Sequence, residues 1–242
     1  MIDTAVILAA GMGTRLRGEP DDRPKGFLEL GGRPIIAESL DRLAEAGIAR
    51  AVIVTGYRAA DYEALAARYD GFVRTVHNDR FAESGSMYSL SCARTAVDGD
   101  FLLLESDLIY EPRALTELLA EPGPDAILLS GPTGAGDEVW VETRDGHLVG
   151  MSKDRGALTG PVTGELVGIS KISADLFSLM HDIAVRAFAK SLHYDYETDC
   201  LVAAGARRPI RCPVVPDLVW AEIDDPQHLR RARKRIYPQL ET

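Results

Sequence analysis

Apolar residues along the chain fall into short unbroken runs that alternate with stretches of helical spacing. Residues 5–10 are one such run, Ala-Val-Ile-Leu-Ala-Ala, with Gly11 and Gly13 just beyond it. That is the pattern of a central parallel strand buried on both faces before the chain turns into a loop. Across residues 34–46, apolar Ile35, Ile36, Leu40 and Leu43 interleave with Glu38, Asp41, Arg42 and Glu45 and stop at Gly47, which predicts a helix with one buried face and a glycine end. Residues 51–56 read as a second buried strand, 61–69 as a second helix and 72–77 as a third strand. Residues 101–107 give a further strand that ends in carboxylates, followed by a helix over 112–119 and a strand over 126–129. This alternation predicts an α/β protein with a Rossmann-like, doubly wound sheet, whose ligands lie beyond the carboxyl ends of the strands.

The pattern changes after Gly131. Residues 139–142 and 147–151 flank Arg144-Asp145-Gly146 and predict a β-hairpin, and residues 165–172 return as a strand. The sheet is therefore expected to be mixed, with the hairpin insertion forming a small second sheet layer over one side of the site. A helix over 174–191, an acidic and aromatic stretch over 193–199, a short strand over 219–223 and a basic helix over 226–236 complete the chain. Arg230, Arg231, Arg233, Lys234 and Arg235 suit a solvated helix end that complements the helix dipole.

Composition narrows the function classes. The 242 residues are 46% hydrophobic and 26% charged, enough apolar material for one sizeable domain. A formal net charge of −10 counts against nucleic acid, whose backbone needs a basic surface. A single polyphosphate needs only a local group of donors and cations. Cys92, Cys200 and Cys212 lie far apart with no Cys-x-x-Cys pair, so neither structural zinc nor a disulfide framework is expected and a reducing cytoplasm fits. The first apolar run has no basic leader and is too short for a span, so neither a secretory signal nor a membrane partner is expected.

The segment Leu8-Ala9-Ala10-Gly11-Met12-Gly13-Thr14-Arg15-Leu16 follows the first strand. Its glycines let backbone N–H groups turn inward as a nest for phosphate, although a glycine pair alone also fits an ordinary tight turn. A P-loop would end in Gly-Lys-Ser/Thr, and a dinucleotide fingerprint would carry a third glycine where Leu16 stands. Arg15 and Lys25 place two cations just after the loop, where they can neutralise a triphosphate and the charge that builds at its α-phosphorus. Joined to Arg23-Pro24-Lys25-Gly26 and Gly32-Arg33-Pro34-Ile35-Ile36, the loop closely resembles the nucleoside-triphosphate transferases that activate sugar phosphates, phosphocholine and related alcohol or phosphonate head groups. The resemblance implies that Leu8, Ala9, Ala10, Gly11, Gly13 and Thr14 hold the nucleotide. It also implies that Arg15 and Lys25 are catalytic and that pyrophosphate is released as a nucleotidyl group passes to a small acceptor.

Asp107, at the carboxyl edge of the sheet, offers the hard oxygen ligand that a magnesium ion on the triphosphate needs. The segment Val219-Trp220-Ala221-Glu222-Ile223-Asp224-Asp225-Pro226 ends a second strand in acids. Here the resemblance places a second magnesium carboxylate at Asp224, and Glu222 shares its strand face. Taken singly, each aspartate also fits as a helix cap, Asp107 ahead of Pro112 and Asp224 ahead of Pro226. No histidine or cysteine cluster competes, and carboxylates suit magnesium better than zinc.

Over about residues 5–229 the resemblance is to short cytidylyltransferases acting on phosphocholine and, still more, on 2-aminoethylphosphonate. It includes Asn78-Asp79-Arg80-Phe81 and Ser84-Gly85-Ser86-Met87-Tyr88-Ser89-Leu90, implies CTP as donor and carries Ser86 and Ser89 to the nucleotide. A quaternary ammonium is best held by an aromatic box, whereas a primary ammonium donates hydrogen bonds and favours carboxylates. Residues 193–199 supply Asp195, Glu197 and Asp199 beside Tyr194 and Tyr196, with Trp140 elsewhere, which favours an aminoalkylphosphonate. A solvated helix face is the alternative for the same acids. A phosphonate or phosphate oxygen is already an anion near neutral pH, so the lack of a serine–histidine or cysteine–histidine constellation fits. The alternatives are a phosphocholine or sugar-1-phosphate nucleotidyltransferase and, from another class, a non-catalytic nucleotide-sensing domain. The partners expected are CTP and the acceptor, with monomer and homodimer both open. One nucleotidyltransferase domain is expected over 1–242, with about 1–130 binding nucleotide, about 131–225 binding acceptor and 226–242 as a C-terminal helix.

Overall fold

An unbroken apolar run leaves neither side of a strand for solvent, and Thr4–Ala9 is accordingly a strand buried at every position. The computed structural model describes residues 2–16 and 23–240. In chain order the strands are β1 (Thr4–Ala9), β2 (Glu29–Leu30), β3 (Arg33–Pro34), β4 (Arg50–Thr55), β5 (Val73–His77), β6 (Phe101–Glu105), β7 (Leu108–Tyr110), β8 (Ala126–Ser130), β9 (Trp140–Arg144), β10 (His147–Ser152), β11 (Val162–Ile172), β12 (Val214–Val215) and β13 (Trp220–Glu222). The helices are α1 (Ile35–Glu45), α2 (Ala59–Ala66), α3 (Ser86–Cys92), α4 (Arg113–Ala120), α5 (Ala174–Phe188), α6 (Val202–Gly205), α7 (Pro226–Arg231) and α8 (Tyr237–Leu240). Tyr196–Leu201 and Ala232–Ile236 are π-helical. No helix among the described residues is long and apolar enough to cross a membrane.

The main sheet has nine strands on a path β10-β9-β11-β6-β1-β4-β5, with β8 on β11 and β12 on β8. Strands β5, β4, β1 and β6 are parallel, whereas β11 runs antiparallel to β6, β8 and β9. The sheet is thus mixed, as expected. Alternation along each strand divides the core. Val6, Leu8, Val52, Val54 and Leu103 face a cluster with Met87, Leu90, Leu176 and Met180 from α3 and α5. Ala5, Ile7, Ala51, Ile53 and Leu104 face the opposite cluster, with Ile36, Leu40, Leu43, Leu65 and Leu115 from α1, α2 and α4. Each fully buried leucine or isoleucine of this kind contributes about 1.5–3 kcal/mol over an exposed one, so both faces are committed.

The hairpin forms where the sequence places it, but it extends the main sheet through the pairing of β9 with β11. Val141, Leu148 and Met151 belong to the same apolar cluster as α5, and burying them draws the hairpin into the sheet instead of over it. Separate two-stranded sheets come from other segments: β2 pairs with β3, and, next to the site, β7 pairs antiparallel with β13, with Ala221 opposite Ile109. The C-terminal basic segment is helical throughout residues 226–240, in three joined pieces. Its Leu229 and Ala232 pack with Leu30, Ile35, Ile109 and Ile223 in a third cluster that backs this small sheet.

Candidate active site

Strands β1 and β6 lie side by side, with Leu8 opposite Glu105, so the loop after β1 and the acids after β6 emerge together. Gly13 sits in that loop with φ +57°, and a Cβ there would lie 3.3 Å from Lys25 Cγ. A side chain would therefore meet both backbone strain and the stem of the lysine. Lys25 opens a short turn over Lys25–Phe27. Its ammonium donates to Asp107 Oδ2 at 2.8 Å and to Asp224 Oδ1. Asp107 precedes β7 and Asp224 follows β13, so the pairing of those two strands brings the aspartates together, and Ile223 N donates to the Asp107 carbonyl at 3.1 Å.

Neither aspartate is a helix cap. Pro112 stands at the start of α4 with no side-chain cap. Asp225, not Asp224, caps α7, its Oδ1 accepting from Gln227 N at 2.7 Å and His228 N at 2.8 Å. This division of labour leaves Asp224 for the site, where its side chain is 2% exposed.

One oxygen each from Asp107, Glu222 and Asp224 converge within 4.8 Å of one another. Burial, then the charges of Asp107 and Asp224, hold the Glu222 carboxyl well above the usual range. Burial works against the charge of Lys25, but Asp107 and Asp224 outweigh it and hold the ammonium above its ordinary value. Three carboxylates against one ammonium leave uncompensated negative charge on hard oxygen donors, and that set fits a divalent cation such as magnesium.

A cavity of about 320 Å³ opens over this cluster. Of the residues read from the sequence, its lining includes Leu8, Ala9, Gly11, Gly13, Lys25, Ser86, Asp107, Asp195, Glu197, Glu222 and Asp224. The 193–199 segment is carried there by backbone bonds to the start of α3, Gly85 N to Leu192 O at 2.8 Å and Met87 N to Tyr194 O at 3.1 Å. Ser86 Oγ bridges the two segments, accepting from Tyr196 N at 3.0 Å and donating to Asp195 Oδ1 at 3.2 Å. The other expected residues sit elsewhere. Ala10 is buried beside the cavity and Thr14 is exposed. Ser89 Oγ accepts from the buried Asn78 Nδ2 at 3.0 Å, and Asp199 Oδ2 accepts from Asp195 N at 3.0 Å. Tyr194 lines a separate surface pocket with Arg186 and Lys190, and the guanidinium of Arg155 covers Trp140 at 5.3 Å. Tyr196 is enclosed, its hydroxyl donating to Glu197 Oε1 at 2.9 Å. The side chain of Arg15 lies outside the described residues.

Five further residues line the cavity without having been singled out, namely Tyr62, Glu105, Ser106, Lys153 and Thr198. Glu105 carried a usable signal, since it precedes Asp107 by two positions at the end of the same buried strand. Lys153 carried none, because a lysine after a hairpin reads as a surface residue. Burial, followed by the charges of Glu197 and Asp107, raises the Glu105 carboxyl well above the usual range. Burial likewise pushes Glu197 up to about 7, against the lowering effect of the Tyr196 hydroxyl and the Lys153 charge. A larger open groove, about 690 Å³, runs past Arg33, Arg58 and Arg68 between α1 and α2, but the convergent carboxylates are not on it.

Fold and acidic cavity together are those of an α/β nucleotidyltransferase-type domain. The chain belongs to the MobA-like NTP transferase domain family, which it matches over residues 5–239. Nucleotidyltransferases of this family generally use a divalent metal, and the acidic triad is the donor set that fits one. The chain is 35% identical over 98% of its length to CMP-5'-(3-aminopropyl)phosphonate synthase of Streptomyces rubellomurinus, of which it spans only 39%. It is 29% identical to 2-aminoethylphosphonate cytidylyltransferase of Lancefieldella rimae, with 79% of this chain and 77% of that protein covered. In structure it resembles inositol-1-phosphate CTP transferase of T. maritima, with a TM-score of 0.83 at 20% identity over 99% of this chain and 95% of that one. That last likeness concerns the fold.

Proposed function

We propose that this chain binds CTP with magnesium and transfers CMP to a small phosphonate bearing a primary amine, 2-aminoethylphosphonate or a close homologue, with release of pyrophosphate. The observation that carries the acceptor class is the lining of the cavity. Among the described residues it holds six carboxylates, two lysines and one aromatic ring, Tyr62. A quaternary ammonium calls for an aromatic box, and Tyr194 and Trp140 are not there to build one. The amine-bearing phosphonates in the names of two relatives support the same reading, as does the cytidylyl group in both.

The backbone from Leu8 to Gly13 is proposed to cradle the nucleotide, with Ser86 at its edge. Asp107, Asp224 and Glu222 would hold the magnesium ion, which when bound supplies positive charge to the triphosphate oxygens. Lys25 sits where charge accumulates as an acceptor oxygen bonds to the α-phosphorus and the bond to the pyrophosphate oxygen breaks. The attacking oxygen is already anionic, so no proton need be removed. Lys153 is the second cation of the lining, and, unlike Lys25, it forms no ion pair with a described residue. We assign it to the phosphonate of the acceptor. Asp195 and Glu197 face the same space and are proposed to receive the amine.

Pyrophosphate release, assayed with CTP, UTP, ATP and GTP against 2-aminoethylphosphonate, 3-aminopropylphosphonate, phosphocholine and glucose 1-phosphate, tests the proposal. CTP with an aminoalkylphosphonate is expected to exceed every other pair in kcat/KM by at least about tenfold. A preference for phosphocholine or a sugar phosphate would overturn the acceptor class. Magnesium-dependent nucleotide binding without turnover would turn the reading to a nucleotide-sensing domain.

A further inference from the structure

Asn78 follows β5, is wholly buried and does not belong to the lining of the cavity. Its backbone N–H donates to Thr55 O at 2.8 Å, which ties it to the end of β4. The side chain is matched at both ends. Oδ1 accepts from Arg80 N at 2.9 Å, and Nδ2 donates to Ser84 Oγ at 3.1 Å and to Ser89 Oγ at 3.0 Å. An enclosed amide with its acceptor and both donors engaged is a firm anchor, because each partner it lost would leave a polar group unpaired away from water. The three bonds pin the excursion between β5 and α3 at its first turn, just before Gly85, and again one turn into α3. Gly85 and Ser86 are thus held from both sides, and residues 193–199 dock on them. Gly85 N donates to Leu192 O, Met87 N to Tyr194 O and Tyr196 N to Ser86 Oγ. Gly85 has an ordinary φ of −86°, so its need for a bare Cα is steric. A Cβ there would stand 2.7 Å from both Tyr194 N and Tyr194 O, closer than a carbon can approach.

From this geometry we propose that Asn78 is a positioning residue for the acceptor side of the cavity. It acts through Gly85 and Ser86, which hold residues 193–199 against the start of α3. The functional half of the proposal rests on the reading of that segment as acceptor-binding given above. A segment free to drift offers its side chains in the binding arrangement for only part of the time, and affinity falls by that fraction. The nucleotide loop after β1 hangs on a different strand end, so loosening the anchor weakens the acceptor far more than the triphosphate.

Hydrogen exchange and steady-state kinetics are compared for the wild type, Asn78→Ala, Ser84→Ala and Gly85→Ala. In Asn78→Ala the amides of Gly85, Met87 and Tyr196 are expected to exchange at least about tenfold faster, while those of β1 keep the wild-type rate. With CTP and 2-aminoethylphosphonate, KM for the acceptor should rise about tenfold or more and KM for CTP less than about threefold. Adding Ser86→Ala to Asn78→Ala should move the acceptor KM by less than about twofold further, because the bridge it removes is already loose. Ser84→Ala removes one bond and should give a smaller shift in the same direction. Gly85→Ala should give the large shift with the Asn78 bonds intact, so these two variants carry the test if Asn78→Ala does not fold. A residue that only stabilises the fold would lower the melting temperature and leave the three amides and both KM values unchanged, and that result would overturn the proposal. Equal rises in the two KM values would overturn it as well. Faster exchange at the three amides, in a protein whose wild type turns over no acceptor, would keep the anchor and reject the transfer reaction.

Discussion

At Lys25 a single ammonium, with a side chain 19% exposed, meets two aspartates that are more enclosed still. Removing one partner from a buried pair strands the other charge, typically at about 3–5 kcal/mol, but here the acids also face a cavity that a divalent cation can enter. Lys25→Ala is therefore expected to stay folded by circular dichroism and to lose about 10²–10³-fold in kcat, the scale seen when one charge-stabilising group is removed. Magnesium with CTP is expected to raise the melting temperature of the wild type, and Asp107→Ala should remove that rise and abolish magnesium-dependent turnover. A near-normal rate in either variant would take that residue out of its role. These residues were legible because acids at the ends of buried strands, and a lysine just past a glycine loop, have few other reasons to be there. Ser89, Asp199 and Tyr194 looked equally suitable in the sequence, yet Ser89 is buried in α3 against the Asn78 side chain, Asp199 accepts from the Asp195 backbone and Tyr194 lines a surface pocket. Hydroxyls and short acids serve backbone groups as readily as ligands, and only the path of the chain tells which. Glu105 was less legible for the converse reason, because Asp107, two positions on, already meets the need for a hard oxygen ligand at that strand end.

Among the elements, the start of α7 has the sharpest consequence for the site. Asp224 and Asp225 are adjacent, and the cap on the second is what fixes the helix entry that aims the first. Hydrogen bonding from His228 N, joined by that from Gln227 N, outweighs the opposing effect of burial and holds the Asp225 carboxyl below its usual range. A depressed carboxylate stabilises the fold above its unfolded value, about 3.9, and that contribution is lost as pH falls through the folded value. Asp225→Ala should cost about 1 kcal/mol in urea unfolding at pH 7, and the gap from wild type should close as the pH approaches 3. Its magnesium dependence should also shift to higher concentration, because Asp224 loses a fixed anchor. A stability gap that persists unchanged at pH 3 would reject the capping account. The strands and helices of the first 130 residues were readable from apolar runs and 3.6-residue spacing. The attachment of the hairpin was not, since alternation shows which side chains are buried but not which sheet buries them.

For the molecule as a whole, β11 decides whether the two expected halves are independent. Its 11 residues pair with β9 near the start, with β8 along the middle and with β6 at the end. The last pairing joins the parallel strands of the nucleotide side to everything after residue 131. The core follows the same course, since one apolar cluster takes Val6 and Leu103 from the first half together with Val141, Leu148 and Leu176 from the second. The small sheet repeats the arrangement, with β7 from one half and β13 from the other, so the acids of the proposed metal site are themselves split between halves. Neither half could bury its face alone. We accordingly expect one cooperative thermal transition for the chain, with calorimetric and van't Hoff enthalpies in agreement, and no cooperative transition for residues 1–130 expressed separately. Two resolved transitions, or a cooperatively folded 1–130 fragment, would show that nucleotide and acceptor halves are separable bodies, and the single-domain reading would fail with them.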